Sequence, residues 1–295
     1  MNEPRTHAKD ILLLFLGVFA CSTSVIFIKQ STVHPALVPA YRLAIAALVM
    51  LPMFLRQARQ QRGWFTRGYV VRLLIAAVLL AVHFVTWTAG ARMTLAANGT
   101  LLVNLAPVIM PFILYFQLRE KLNRREFIGT AIVLVGIVWL GAGDYQFDRR
   151  HLHGDLVCFV SMLLYTFYLA AARANRGIPG IWLYVVPLYA LAAAMSLALA
   201  LPVTKVFQIY SAREYALLLA LALIPTVTGH TLLNYSMRKL RGQLVTLASA
   251  SQFIFAGIQA ALFLGEKPRI ADIPPAALVF TGCMVVILST PRPSR

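Results

Sequence analysis

The sequence predicts an all-α integral membrane protein with ten transmembrane helices, arranged as two inverted five-helix repeats. Three observations predict this fold: an apolar composition, ten apolar runs of membrane-spanning length, and a pattern that returns at half the chain length. Of the 295 residues, 60% are hydrophobic and 13% are charged, whereas a soluble domain carries about 25% charged residues. The chain therefore lacks the polar residues that a water-facing surface requires.

The apolar runs have the length of membrane spans, since most contain roughly 17–24 residues and the hydrocarbon core of a bilayer is about 30 Å thick. Lipid offers no hydrogen-bond partner to a bare backbone, so each run is predicted to be helical. The predicted spans are Ile11–Ile28, Ala36–Leu55, Leu73–Ala91, Leu95–Leu118, Phe127–Ala142, Leu156–Ala172, Ile181–Leu201, Tyr215–Leu233, Leu244–Leu264 and Ile273–Thr290.

Two stretches of the chain, FQLREKLNRREFIG and FLGEKPRIADIPPA, share one order of features. In each, a Glu-Lys pair ends an apolar run, basic residues follow, and a new apolar run begins. Glu120 and Glu266 are 146 residues apart, and the same spacing aligns Gly136 with Gly282. Five spans lie on either side of the midpoint. An odd number of spans per half makes the second half enter the membrane in the opposite direction, as in many transporters.

The repeat divides the chain into two predicted five-helix domains, at residues 1–143 and 153–290. Lys and Arg number 18 in the connections on the side of the N-terminus and 8 on the opposite side. Because basic residues concentrate on the cytoplasmic side, both termini are predicted to lie in the cytoplasm, with the protein in the inner membrane. The formal net charge of +17 is thus interpreted as membrane topology. A nucleic-acid partner is not expected, because the basic residues occur in short clusters between apolar runs.

Three stretches carry a resemblance to a known family. FLGVFACSTSVIFIKQSTVHPALVPAYRLAIAALVMLP resembles the opening of EamA-type proteins of the drug/metabolite transporter superfamily, with a small polar turn, Lys29 at the end of helix one, and the aromatic-Arg pair Tyr41–Arg42. VNLAPVIMPFILYFQLREKLNRREFIGTAIVLVGI resembles the fourth and fifth helices of that family, and FLGEKPRIADIPPAALVFTGCMVVI resembles the same elements of its second half. Two departures are Arg119, where the family usually has Gly, and Phe253, which aligns with the proline of helix four. The resemblance implies ten helices and export of small metabolites, with amino-acid exporters as a prominent branch.

Several sequence features of enzymes and ion-driven pumps are missing. All ten Asp and Glu residues lie outside the middle of the spans, whereas proton and sodium relays usually place a carboxylate in the membrane. The patterns G-x-x-x-x-G-K-[ST], H-E-x-x-H and G-x-S-x-G are also missing from the sequence, which argues against nucleotide hydrolysis, metalloprotease and esterase activity. We expect a protein that is not an enzyme and needs no cofactor or metal. Its energy would come from the substrate gradient, an exchanged solute, or protons carried by histidine.

Two polar stripes on the spans are the first candidates for a binding site. His83 and Trp87 are four residues apart in the third span, and Thr226, His230 and Asn234 follow the same spacing in the eighth. Helical spacing of four places each set on one face. We predict that the two stripes face each other across a central cavity. The alternative is that each histidine only bonds a neighbouring helix.

Further candidates are the amides Asn104 and Gln252 and the aromatic residues Tyr165 and Tyr168. Amides can bind the ammonium and carboxylate groups of a zwitterion without bearing charge, and an aromatic lining suits an apolar or aromatic amino acid. Arg42 lies inside the second span. Its side chain is expected to reach the outer interface or to pair structurally, while contact with a substrate carboxylate is the alternative.

These features predict a secondary transporter that exports small organic solutes, most of all amino acids, by alternating access. The expected partners are a small-molecule substrate and membrane lipid, and the oligomeric state stays open. One alternative is a membrane-embedded enzyme acting on lipid or isoprenoid. Its clustered acids would be Asp144, Asp148 and Asp155, which have the setting of a solvated connector. The other alternative is a membrane scaffold that transports nothing.

Overall fold

The computed structural model describes residues 8–94, 96–144, 149–264 and 270–288. All regular secondary structure within these ranges is helical, and the helices form ten passes, numbered α1 to α10. The first half contains α1 (Ala8–Ser22 and Ser24–Gln30), α2 (Leu37–Gln60), α3 (Arg67–Met93), α4 (Ala96–Val103 and Ala106–Leu118) and α5 (Arg124–Asp144). The second half contains α6 (Arg149–Ala174), α7 (Trp182–Ala200), α8 (Ala212–Leu221, Ala222–His230 and Thr231–Lys239), α9 (Gly242–Ala250 and Gln252–Leu264) and α10 (Ile273–Ile287). The predicted ten-helix fold is confirmed.

The surface of the bundle is that of a membrane protein. Seven helical stretches within the described residues are long and apolar enough to cross a bilayer, with mean hydropathy between 1.4 and 2.6 over an 18-residue window. Large apolar side chains point outward, such as Leu12 at 70%, Leu48 at 67% and Phe116 at 70% exposure. Such a surface is unfavourable in water and matches lipid tails.

Four passes are irregular where the sequence predicts unbroken helices. In α1 the helix is interrupted at Thr23, where the Ser22 and Thr23 hydroxyls donate to the carbonyls of Phe19 and Ala20 at 2.6 and 2.8 Å. Short hydroxyl side chains compete in this way with the helical backbone pattern. The break in α1 therefore follows from the polar run CSTS.

The other irregularities lie in α4, α8 and α9. The interruption of α4 at Asn104–Leu105 precedes Pro107, which has no N–H to donate. In α9 the interruption is Ser251, whose hydroxyl donates to the Ala248 carbonyl at 2.6 Å. In α8 the segment Ala222–His230 is a π-helix, with five-residue hydrogen bonding in place of four. Broken helices of this kind form substrate sites in many transporters.

The two halves pack with the symmetry of an inverted repeat. The contact of α3 with α6 is matched by that of α8 with α1, and the contact of α4 with α6 by that of α9 with α1. The pairs α5–α10, α2–α7 and α4–α9 join equivalent helices of the two halves. The breaks at Leu105 and Ser251 are themselves 146 residues apart. The spacing of 146 residues found in the sequence therefore also relates equivalent helix breaks of the two halves.

The contact between α5 and α10 shows the same spacing at atomic detail. A Cβ on Gly136 would lie 2.9 Å from the Val279 side chain, and a Cβ on Gly282 would lie 2.7 Å from Val133. Adding 146 to the numbers of Gly136 and Val133 gives Gly282 and Val279. Each half thus supplies one glycine and one valine to a crossing in which the two backbones approach closely.

Candidate functional site

A narrow cavity lies at the centre of the bundle, where the interruptions of α1, α4 and α9 meet α3, α6 and α8. Its volume is about 40 Å³, which is enough for a few water molecules at about 10–15 Å³ each. Its walls are uncharged. The lining residues are Cys21, Ser22, Ser24, Val25, His83, Phe84, Trp87, Thr100, Val103, Asn104, Tyr165, His230, Gln252 and Ala256.

Most residues predicted from the sequence to bind substrate meet at this cavity. The six that line it are His83, Trp87, Asn104, Tyr165, His230 and Gln252. The other two, Tyr168 and Asn234, lie behind the wall. Asn234 donates to the Tyr168 hydroxyl and to the His230 carbonyl, the latter at 2.7 Å. The histidines of the two predicted stripes thus lie at one cavity, while Asn234 supports one of them from behind.

His83 has a defined tautomer. Its Nδ1 lies 2.9 Å from the carbonyl oxygen of Ser161, and a carbonyl oxygen can only accept. Nδ1 therefore carries the proton, and the Ser161 hydroxyl, 2.8 Å from Nδ1, donates to the His83 carbonyl at 3.0 Å. The second ring nitrogen, Nε2, is left as a hydrogen-bond acceptor. His83 thus bonds α6, as the structural alternative requires, and also lines the cavity.

His230 lies among aromatic rings. Its ring centroid is 4.8 Å from that of Phe84, edge to face, and 6.2 Å from that of Tyr165. Tyr165 in turn stacks on His83 at 5.0 Å. The buried Nδ1 of His230 has no hydrogen-bond partner among the residues that the structure describes. An unpaired buried polar atom is costly and rare, which indicates that a solute or water group completes this side of the cavity.

The amides of α4 and α9 contribute differently. Asn104 lines the cavity and donates from Nδ2 to the Thr100 carbonyl at 2.8 Å, within α4. Gln252 also lines the cavity. Gln259, two turns further along α9, donates instead to the Ser22 hydroxyl at 2.9 Å. One face of α9 therefore provides a cavity residue, Gln252, and a hydrogen bond from Gln259 that holds α9 to the interruption of α1.

Arg42 does not reach the outer interface as expected, because its side chain is fully buried. Its Nε donates to the Thr226 hydroxyl at 2.9 Å, and its Nη1 to the Ser24 hydroxyl at 3.3 Å. The guanidinium carbon lies 4.1 Å from the centre of the Phe84 ring. A central membrane arginine costs at least about 2.5–3.5 kcal/mol on insertion scales. These contacts with hydroxyls and a ring offset part of that cost, and the expectation of snorkelling was wrong.

Two ion pairs lie at the end of the bundle where α6 ends and α9 begins. Arg173, at the end of α6, pairs with Glu120 at 3.1 Å and also donates to the Leu240 carbonyl at 2.6 Å. Arg241, just before α9, pairs with Glu126 of α5. Both pairs join the first half of the chain to the second. At the opposite end, the connections α1–α2 and α3–α4 are also bonded to the second half, since Ser31 donates to Glu214 at 2.7 Å and Thr94 donates to Asp155 at 2.6 Å.

Sequence reasoning missed the contribution of α1. Cys21, Ser22 and Ser24 line the cavity, and the polar run CSTS inside an apolar span was the available signal. It also missed Phe84, which follows His83 directly. Within the described part of the chain, no group of three or more His, Cys, Asp or Glu side chains is placed to hold a metal ion.

Comparisons with known proteins agree with this architecture. A model of the EamA-like transporter family matches residues 8–142 and again residues 152–288. A relative from Methanothermobacter thermautotrophicus, described as an uncharacterized transporter, is 23% identical over 146 residues. That alignment covers 45% of this chain and 43% of the relative, so the chain matches less than half of its length. One protein of known crystal structure superimposes with a TM-score of 0.79 at 19% identity, over 97% of this chain and 98% of the other, which shows a shared fold. With the family model matched in both halves, the chain belongs to the EamA-like transporter family of membrane transporters.

Proposed function

We propose that this transporter exports amino acids, with a preference for apolar or aromatic side chains, across the cytoplasmic membrane by alternating access. The observation that carries the proposal is the lining of the central cavity. His83, Asn104 and Gln252 offer neutral polar groups, while Trp87 and Tyr165 offer aromatic faces. A zwitterion with an apolar side chain needs both kinds of contact, and needs them in one place.

Alternating access is supported by the contacts that join the two halves at both ends of the bundle. The two ion pairs join them at one end, and hydrogen bonds from Ser31 to Glu214 and from Thr94 to Asp155 join them at the other. Separation of the ion pairs would open the central cavity to one side, and separation of these hydrogen bonds would open it to the other. By the distribution of basic residues, the side of the ion pairs is the cytoplasm.

The small size of the cavity is consistent with a transporter that has no solute bound. A volume of about 40 Å³ is too small for an amino acid, so binding requires the wall to move outward. The interruptions at Thr23, Asn104 and Ser251 are positions where a helix half can shift without breaking a full set of backbone hydrogen bonds. Solute binding is therefore expected to move the outer halves of α1, α4 and α9.

The test is counterflow in proteoliposomes loaded with a panel of amino acids and other small metabolites. We expect labelled phenylalanine or tryptophan to accumulate only in vesicles that contain the protein and an unlabelled amino acid. Trp87→Ala and His83→Ala should each raise the half-saturating concentration by about tenfold, which corresponds to about 1.4 kcal/mol. Both variants should elute as the wild type does in size-exclusion chromatography.

The matched control is His153→Ala, because His153 is exposed in α6 and does not line the cavity. It should transport as the wild type does. Full activity of both cavity variants would overturn the site, and failure of every solute in the panel would favour the scaffold alternative. Repeating the assay at two pH values separates the sources of energy, since flux independent of pH excludes protons carried by histidine.

A further inference from the structure

Arg42 is a buried cation that forms no ion pair with a carboxylate in the part of the chain that the structure describes. All ten Asp and Glu residues of the chain lie in loops or near helix ends. Within the described residues, the ion pairs formed by arginine belong to Arg173 and Arg241. The hydrogen bonds of the Arg42 guanidinium to described residues go to two neutral hydroxyls, those of Ser24 and Thr226. Buried charges in proteins are normally paired, so a counter-charge is missing from this position.

One nitrogen of the same guanidinium has no hydrogen-bond partner among the described residues. It is the buried Nη2 of Arg42, whereas Nε and Nη1 are both bonded. The fork of an arginine matches the two oxygens of a carboxylate, which can accept two parallel hydrogen bonds. An unbonded Nη2 beside a weakly bonded Nη1, at 3.3 Å from its acceptor, is an incomplete fork of this kind.

The guanidinium lies directly behind the cavity wall. Ser24, which accepts from Nη1, and Phe84, whose ring centre is 4.1 Å from the guanidinium carbon, both line the cavity. At about 40 Å³, the cavity must widen to hold an amino acid. Ser24 follows the interruption of α1 at Thr23, so a shift of this half-helix, or a rotation of the Phe84 ring, would bring the cavity to the guanidinium.

We infer that Arg42 binds the carboxylate of the transported solute and restricts transport to carboxylate-bearing compounds. The inference rests on the proposed function, because it assigns the substrate class of the same cavity. The carboxylate lies against Arg42, and the apolar remainder lies among Phe84, Trp87 and Tyr165. Thr226, which belongs to the π segment of α8, holds the guanidinium in place through Nε.

The experiment compares three compounds of nearly equal size: phenylalanine, phenylalaninamide, which lacks the carboxylate, and 3-phenylpropanoate, which lacks the amine. Their binding is measured by the shift of the thermal unfolding midpoint of the full chain in detergent micelles. We expect the two acids to stabilise the wild type at concentrations at least about tenfold lower than the amide does. Equal stabilisation by phenylalanine and its amide would overturn the inference without any variant.

Variants test the residue itself. Arg42→Gln should raise the half-maximal concentration of both acids at least about tenfold and change that of the amide by less than about twofold. Arg42→Lys should retain part of the preference for acids, because it keeps the charge and loses the fork. Arg72→Gln is the control, since Arg72 is exposed and donates within its own helix to the Gly68 carbonyl. An equal loss for acids and amide in Arg42→Gln would assign Arg42 a structural role and overturn the inference.

The outcomes also separate this inference from the proposed function. Stabilisation by 3-phenylpropanoate that depends on Arg42, without counterflow of any amino acid, would reject amino-acid export and keep Arg42 as an anion site. Counterflow of phenylalanine and of its amide at equal rates would keep the transport function and reject the role of Arg42.

Discussion

Glu126 has two roles at the start of α5, and both can be measured. It accepts from the Asn123 N–H at 2.9 Å while its own N–H donates to the Asn123 side chain at 2.8 Å, a reciprocal helix cap. It also pairs with Arg241, whose Nη2 lies 2.8 Å from Oε2. Its side chain is 1% exposed. Removal of one partner from a buried pair leaves the other charge without compensation.

We therefore expect Glu126→Ala to lower the stability by about 3 kcal/mol, seen as a lower thermal midpoint in detergent micelles. Arg125→Ala, at the exposed neighbouring position, should change the midpoint little. In an Arg241→Ala background, Glu126→Ala should lower the stability by less, because the guanidinium that would be left without a partner is already absent. Equal effects in both backgrounds would show that the cap alone matters.

At the scale of single residues, the sequence predicted six cavity residues from helical spacing and depth in the spans. Tyr168 and Asn234 lie behind the wall, and Arg42 pairs structurally, which was one of the two outcomes expected for it. The sequence misplaced Thr226 for a physical reason. The spacing of four assumes an α-helix, whereas Ala222–His230 is a π-helix, in which hydrogen bonds span five residues. Thr226 is consequently directed to Arg42 while His230 is directed to the cavity. A π segment has no pattern that periodicity can detect.

At the scale of elements, the positions of the ten passes followed from hydropathy, and their interruptions did not. Pro107 marked the break in α4, but the equivalent break in α9 is produced by Ser251 without a proline. Because Phe253 aligns with Pro107, the sequence did not predict a break in α9, although α4 and α9 are interrupted at equivalent positions. Different residues produce the same interruption, because a serine hydroxyl that competes for a carbonyl and a proline that lacks an N–H both remove a helical hydrogen bond.

The crossing of α5 and α10 gives a prediction for elements. A Cβ on Gly282 would lie 2.6 Å from the Gly129 carbonyl oxygen, so Gly282→Ala forces two backbones apart. We expect a loss of about 1–3 kcal/mol of stability. Gly136→Ala should cost a similar amount, because its Cβ would lie 2.8 Å from the Pro275 carbonyl oxygen.

The control for this crossing is Gly257→Ala in α9, where nothing lies within 4 Å of the added atom. That substitution should be neutral or stabilising by up to about 1 kcal/mol, since alanine favours helix more than glycine. If Gly282→Ala were as well tolerated as Gly257→Ala, the close approach of the two helices would not exist in the folded protein. Thermal midpoints of the three variants in one detergent decide the matter.

For the whole molecule, the inverted repeat was predictable for two reasons. The thickness of the bilayer sets the length of each apolar run, so the ten spans can be counted, and the same residue pattern recurs 146 residues later. The spacing of 146 residues relates Gly136 to Gly282 and Leu105 to Ser251, and these pairs occupy equivalent places in the two halves. The orientation of the bundle is a separate matter, since it rests on the 18 against 8 distribution of basic residues. It stays a prediction, and it can be tested together with the inversion.

Equivalent loops of the two halves should lie on opposite sides of the membrane. His34 between α1 and α2 and Arg176 between α6 and α7 are one such pair, and Gly63 and Lys205, in the α2–α3 and α7–α8 connections, are the other. All four are exposed. Because Cys21, Cys158 and Cys283 are buried, the wild type should remain unlabelled by a membrane-impermeant maleimide applied to intact cells.

Single cysteines then report the side of each loop. His34→Cys and Lys205→Cys should be labelled from outside, while Gly63→Cys and Arg176→Cys should react only after the membrane is permeabilised. With ten passes, tags on the two termini should both be reached from the cytoplasm alone. Labelling of His34→Cys and Arg176→Cys from one side would contradict the inverted repeat, whereas an exchange of all four results would keep the repeat and reverse the orientation. The four positions thus separate the architecture, which the helix contacts support, from the orientation of the protein in the membrane, whose prediction rests on the distribution of basic residues alone.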